Sequence, residues 1–160
     1  KESQNDFNWR DGASVVLGAG GAARAILFAL RREGVADIRI ANRTIERAEE
    51  LAEEFGACVY DWDEKGKALI GANSLINTTS LGMSGKDELQ IDLDHLQSGA
   101  LVYDIVYVPL MTELLQQAEK KNFKIVTGIG MLLHQARPGF EAWFGKKPEV
   151  TDALRERILA

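Results

Sequence analysis

Short apolar runs alternate with amphipathic stretches along most of the chain. The runs at 14–17, 38–41, 58–61, 74–77, 101–105 and 124–127 are rich in Val, Ile and Leu. This character predicts strands buried on both faces of a parallel sheet. Between them, helical spacing predicts helices over 22–32, 45–55 and 113–121, with a weaker pattern near 63–70. Leu114, Leu115 and Ala118 make the apolar stripe of the last full helix. Beyond the sixth strand, 130–145 reads as a helix kinked at Pro138, and 151–160 as a short helix with Thr151 at its N-cap. Strands alternating with helices imply right-handed crossovers. The expected fold is α/β: a doubly wound parallel sheet of about six strands with helices on both faces.

The remaining composition narrows the function classes. The chain has 160 residues, 46% of them hydrophobic, which suits one domain with a sizeable core. A net charge of −5 argues against a general binder of nucleic acid or membrane surfaces. The longest strongly apolar run, 25–30, is flanked by arginines and far too short to span a bilayer. The polar opening "KESQNDFNWRDG" does not read as a secretory signal. A single cysteine, Cys58, excludes an internal disulfide and fits a reducing cytoplasm. It is expected to be a small buried hydrophobe in the third strand.

"VVLGAGGAARAILFAL" carries the first sign of chemistry. Gly18, Gly20 and Ala23 fill the small positions of G-x-G-x-x-G/A between a strand and a helix. Gly18 permits the tight turn and Gly20 lets the backbone approach a pyrophosphate. The third small residue lets helix and strand pack closely. The helix then offers its unpaired N–H groups and positive dipole end to the anion. Strand, turn and helix in one βαβ unit predict a Rossmann-type dinucleotide site.

The second strand ends in Asn42-Arg43-Thr44. An NAD-specific site places an acid there, about 20 residues on, to bind the adenosine ribose hydroxyls. A carboxylate would repel a 2′-phosphate, whereas Arg43 can pair with it. With Thr44 as helix cap, Arg47 falls in the first turn, where the macrodipole disfavours a cation by roughly 0.3–1 kcal/mol. A bound phosphate reverses that penalty; the alternative is an arginine paired with Glu46 or Glu50. These residues predict NADP.

"GAGGAARA", "NRTIERAEELA", "NTTSLGM", "YDIVYVPLMTELL" and "GIGMLLHQA" follow in the order found in shikimate dehydrogenases, whose cofactor-binding half the chain resembles from about Trp9 onward. The first two motifs are shared with relatives such as glutamyl-tRNA reductase, and the last three are more particular. The resemblance implies that Gly18, Ala19, Gly20, Gly21 and Ala22 wrap the pyrophosphate. Asn42, Arg43, Thr44 and Arg47 would hold the 2′-phosphate end, and Thr78, Thr79 and Ser80 would line the groove. Ile105, Gly128, Met131 and Leu132 would surround the nicotinamide and its ribose, and Tyr107 and Gln135 would reach the substrate, shikimate or 3-dehydroshikimate. Independently, residues 77–80, 105–107 and 127–128 fall at the carboxyl ends of expected strands, where open α/β sheets bind ligands. Met131 and Gln135, four apart, share a helix face. Tyr107 as a core aromatic and Gln135 as a surface amide are the plainer alternatives.

The resemblance also implies a division of labour. In the family a Lys and Asp pair on an N-terminal domain supplies the proton, and no lysine here stands in that motif. Residues 1–12 would be the end of an interdomain connection, 13–145 the NADP-binding domain and 146–160 a helical tail. That N-terminal domain is the implied partner; an oligomer stays open. His134, about 100° round its helix from Gln135, reads as structural, and His95 as solvated. No metal site or catalytic triad is expected from them. The competing readings are a quinate-type relative, glutamyl-tRNA reductase, and a non-catalytic NADP sensor.

Overall fold

All six expected strands form, and they share one sheet. The computed structural model describes residues 7–159, so residues 1–6 of the interdomain connection expected at 1–12 lie outside the described residues. The strands are β1 (Ala13–Leu17), β2 (Ile38–Asn42), β3 (Cys58–Asp61), β4 (Ala72–Asn77), β5 (Leu101–Asp104) and β6 (Lys124–Val126). Every pairing is parallel, in the order β3-β2-β1-β4-β5-β6. The chain starts at the centre, winds outward to β3, then crosses to β4 and winds the other way. That reversal opens a crevice at the carboxyl ends of β1 and β4, the usual ligand position in such sheets.

Alternation along the strands divides the apolar side chains into two layers. Val15, Leu17, Leu75 and Val102 meet α3 (Lys65–Ala68) and α4 (Glu113–Lys120) through Ala68, Leu69, Leu114 and Leu115. Val16, Ile38, Ile40 and Ile76 face α1 (Gly21–Glu33) and α2 (Ile45–Phe55) through Ala23, Leu27 and Leu51. Each fully buried Leu or Ile contributes about 1.5–3 kcal/mol by leaving water. β1 and β4 are buried at every position, as a sheet covered on both faces requires. Where they adjoin, the polar Ser74 hydroxyl is satisfied by donating to Ser14 Oγ at 2.8 Å.

The edges differ from the sequence expectation. Among the described residues β3 has only one neighbouring strand, and Cys58 is exposed rather than buried. A strand's own residues do not say which strand will lie at the edge. β5 and β6 each stop one residue early, leaving Ile105 and Thr127 in loops over the sheet's carboxyl edge. The weak pattern near 63–70 forms a 3-10 turn, Trp62–Glu64, followed by the short α3. α5 (Ile129–Phe144) runs through Pro138, and α6 (Asp152–Leu159) follows Thr151, whose hydroxyl accepts from Leu154 N–H at 3.2 Å. No helix among the described residues is long and apolar enough to cross a membrane.

Candidate functional site

The glycine turn after β1 behaves as its spacing requires, with a different reason for each glycine. Gly18 has φ +103°, a conformation that L side chains rarely adopt, and a Cβ there would lie 2.7 Å from Thr78 Oγ1. Its N–H donates to Ala41 O at 2.8 Å, while Thr78 donates twice to Leu17 O, from N–H at 2.8 Å and from hydroxyl at 2.6 Å. The ends of β1, β2 and β4 are thereby tied together. Gly20 is extended at φ −101°, and a Cβ there would meet nothing within 4 Å. Nothing inside the protein requires its missing side chain; the space it leaves is outside. α1 begins at Gly21 with no side-chain cap and no acid in its first turn, leaving its N–H groups and dipole toward that space. Ala23 is fully buried between helix and sheet.

A cleft of about 350 Å³ opens there, lined by Gly18, Ala19, Gly20, Asn42, Arg43 and Arg47, with Thr78, Thr79 and Ser80 opposite. Trp62 joins this lining. Asn42 Nδ2 donates to Thr44 O at 2.7 Å, so the amide braces the turn before α2. Thr44 occupies the N-cap with extended backbone, but its hydroxyl makes no capping bond, contrary to expectation. Arg43 and Arg47 are exposed and, among the described residues, neither forms an ion pair. Pairing of Arg47 with Glu46 or Glu50 is not realised. Nearby Arg24 does pair, with Glu54. Two unneutralised guanidiniums at a helix N-terminus are an unfavourable arrangement that an anion would relieve.

Sequence reasoning missed the network beneath this cleft. Asp104, fully buried at the end of β5, accepts from Asn77 Nδ2 (3.0 Å), Val106 N–H (3.0 Å) and the Thr112 hydroxyl (2.8 Å). Thr112 also caps α4 by accepting from Leu115 N–H. Asn77 turns its Oδ1 to Thr79, accepting from N–H (3.0 Å) and hydroxyl (2.7 Å). Thr79 Oγ1 in turn accepts from Leu81 N–H at 3.1 Å. One relay thus fixes both the loop after β4 and the loop after β5. Burial pushes the Asp104 carboxyl above the usual range, and the three donors pull it part of the way back.

Asp104→Ala strands three buried donors and is expected to cost about 2–4 kcal/mol, read as a lower urea midpoint. Because the folded carboxyl titrates above its unfolded value of about 4, its stabilising contribution is full below that pH and is lost as pH rises through the folded value. Asp104→Asn should remove that slope from the curve of urea midpoint against pH.

The remaining expected site residues divide. Met131 and Gln135 line a second cavity of about 520 Å³, between α1, α5 and the face of β4–β5–β6. His134 lines it as well, so the helix face it shares with Met131 is broader than a single stripe. Tyr103 also borders this cavity, its hydroxyl pushed up to about 12, mainly by burial. Gly128 opens α5 against the loop after β5, where a Cβ would collide with the carbonyl oxygens of Ile105 and Val106. Leu132 and Tyr107 line neither cavity; Tyr107 is exposed beyond β5. His95 is exposed. Among the described residues no group of three His, Cys, Asp or Glu could hold a metal ion.

Known proteins share this architecture. A family model for shikimate/quinate 5-dehydrogenase matches residues 1–108, and one for the shikimate 5′-dehydrogenase C-terminal domain matches 128–159. The shikimate dehydrogenase (NADP(+)) of Paracoccus denitrificans is 52% identical over 93% of this chain and 54% of its own length. Among solved structures, shikimate 5-dehydrogenase of Thermus thermophilus, in complex with NADP(H) and shikimate, is 36% identical with a TM-score of 0.72. The match covers 86% of this chain and 51% of that one. Quinate dehydrogenase of Corynebacterium glutamicum, in complex with NAD, is 28% identical with a TM-score of 0.86, over 99% of this chain and 57% of that one. The chain spans about half the length of the curated relatives it matches. With the fold, the glycine turn and a family model over most of its residues in agreement, the chain belongs to the shikimate/quinate 5-dehydrogenase family.

Proposed function

We propose that this chain is the cofactor-binding half of an NADP-dependent shikimate dehydrogenase, which reversibly reduces 3-dehydroshikimate to shikimate. The observation that carries the reading is the pair of unpaired guanidiniums, Arg43 and Arg47, facing one cleft with the open backbone of Gly20. The residues present fit the cofactor. The N–H groups at the start of α1 would hold the pyrophosphate, with Gly20 leaving it room. Arg43 and Arg47 would hold the 2′-phosphate, while Asn42 keeps their turn in shape. Thr78, Thr79 and Ser80 form the opposite wall. Ile105, Gly128, Met131 and Leu132 are the apolar and small residues assigned to the nicotinamide end, and Tyr107 and Gln135 to substrate. When bound, NADPH supplies the hydride that reduces the ketone.

The forming alkoxide also needs a proton. No lysine borders either cavity, and the ionisable side chains around the larger one are Glu33, Tyr103, His134 and Arg155. Following the family's division of labour, the proton donor is assigned to the remaining length of the relatives. General acid–base assistance commonly contributes 10²–10⁴-fold, and lost substrate positioning removes a further large factor. The purified chain is therefore expected to bind NADP in calorimetry, yet give no NADPH absorbance with NADP and shikimate. Failure to bind NADP would overturn the cofactor assignment. Ordinary turnover would overturn the half-site reading and make His134 the first residue to substitute.

NAD with quinate is the second reading, favoured by the close backbone match to the Corynebacterium enzyme. The absence of an acid at Asn42 favours NADP.

A further inference from the structure

β2 and β3 pair in parallel with Asn42 opposite Asp61, which brings the next residues of the two strands, Arg43 and Trp62, side by side. Trp62 begins the 3-10 turn after β3, half-buried, with part of its ring packed on the core layer beneath α3. The guanidinium carbon of Arg43 lies 5.9 Å from the ring centroid. Lys65 brings a second cation to the same ring, its Nζ 5.0 Å from the centroid and donating to Trp62 O at 3.4 Å. Arg43 is otherwise a long side chain at an exposed position, with no carboxylate among the described residues to hold it. An arginine so placed loses rotamer freedom when it binds an anion, unless something already fixes it. The Trp62 ring is anchored by the core, borders the cleft, and presents the π-surface that attracts a guanidinium.

We propose that Trp62 is a positioning and specificity-determining residue: its indole holds the Arg43 guanidinium in place for the 2′-phosphate of NADP. The assignment rests on the NADP reading above. It gives the ring a role in choosing between cofactors and none in the hydride step. Trp62 does not touch the phosphate itself; it acts through Arg43.

The test is calorimetry of NADP and NAD on the purified chain, for wild type, Trp62→Phe, Trp62→Leu and Trp62→Ala, with thermal unfolding run in parallel. Leucine keeps apolar packing and removes the π-surface; phenylalanine keeps a weaker one. The NADP-over-NAD ratio should fall in the order Trp, Phe, Leu, with Trp62→Leu losing about three- to fivefold on NADP and little on NAD. In an Arg43→Ala background the Trp62→Leu effect should vanish, because the two residues act as one unit. A preference in Trp62→Leu equal to that of the wild type, or an undiminished effect in the Arg43→Ala background, overturns the assignment alone. A wild-type chain with no NADP preference overturns the cofactor reading and the assignment with it. Should Trp62→Ala fail to fold, the Phe and Leu variants decide.

Discussion

The double variant Arg43→Ala/Arg47→Ala is expected to lose NADP affinity by about 10²-fold or more while NAD affinity changes little. Each charge-assisted contact to phosphate contributes roughly 1.5–3 kcal/mol, and every 1.4 kcal/mol is tenfold. Both side chains are exposed, so solvent screening places the sum toward the lower end of that range. Neither arginine makes an ion pair among the described residues, so removing them breaks no salt bridge. Arg47→Ala also relieves an unfavourable charge at the N-terminus of α2. That relief offsets the lost Arg43 contact with the Trp62 ring, so the variant should fold about as stably as the parent. Calorimetry with both cofactors, repeated at raised salt, measures the effect. The parent's NADP preference should shrink with salt, and the variant's should not. Equal losses for NADP and NAD would refute the 2′-phosphate assignment.

Gly20→Ala and Gly128→Ala should fail in opposite ways. A Cβ on Gly20 meets nothing in the protein and requires no forbidden backbone angle, so the variant should unfold at the parent's temperature. The added methyl would stand where the pyrophosphate must approach the backbone, and cofactor binding should be largely lost. Gly128 already has ordinary helical φ, so its alanine variant is not strained by conformation. Its Cβ would collide with the backbone carbonyls of Ile105 and Val106, which cannot swing aside as a side-chain tip can. Overpacking against backbone should cost about 3 kcal/mol, lowering the midpoint by roughly 6–12 °C for a chain of this size. Thermal scans with and without NADP separate the two. A destabilised Gly20→Ala variant, or a Gly128→Ala variant as stable as the parent, would contradict these assignments.

The sequence is most readable where one local rule acts alone. Buried strands, helical stripes and the strand–glycine–helix turn each carry a period or spacing, and those elements form at nearly the expected positions. What escapes depends on neighbours distant in sequence. Cys58 has the surroundings of a buried strand residue, and only the sheet order exposes it. Trp62 borders a weak helical pattern, and only the β2–β3 register sets it beside Arg43. Its signal is available in the chain: a tryptophan directly after the strand that neighbours the Asn-Arg-Thr turn. Asp104 closes an apolar strand with no local mark of its role, because its donors come from 27 residues before it and from 2 and 8 residues after it. His134 stands three residues after Met131, on the same side of the helix, and both border the cavity.

The relay from the N-terminus of α4 through Thr112, Asp104, Asn77 and Thr79 to Leu81 has a thermodynamic consequence for the ligand. Two loops that would ordinarily stiffen on contact are already ordered by bonds made in folding. The conformational entropy of arranging them belongs to the folding equilibrium, and association inherits little of it. Affinity at this edge of the sheet is thereby coupled to global stability. A substitution that loosens the relay at Asp104 or Thr112 returns part of the ordering penalty to the binding step, and does so away from the walls of the cleft.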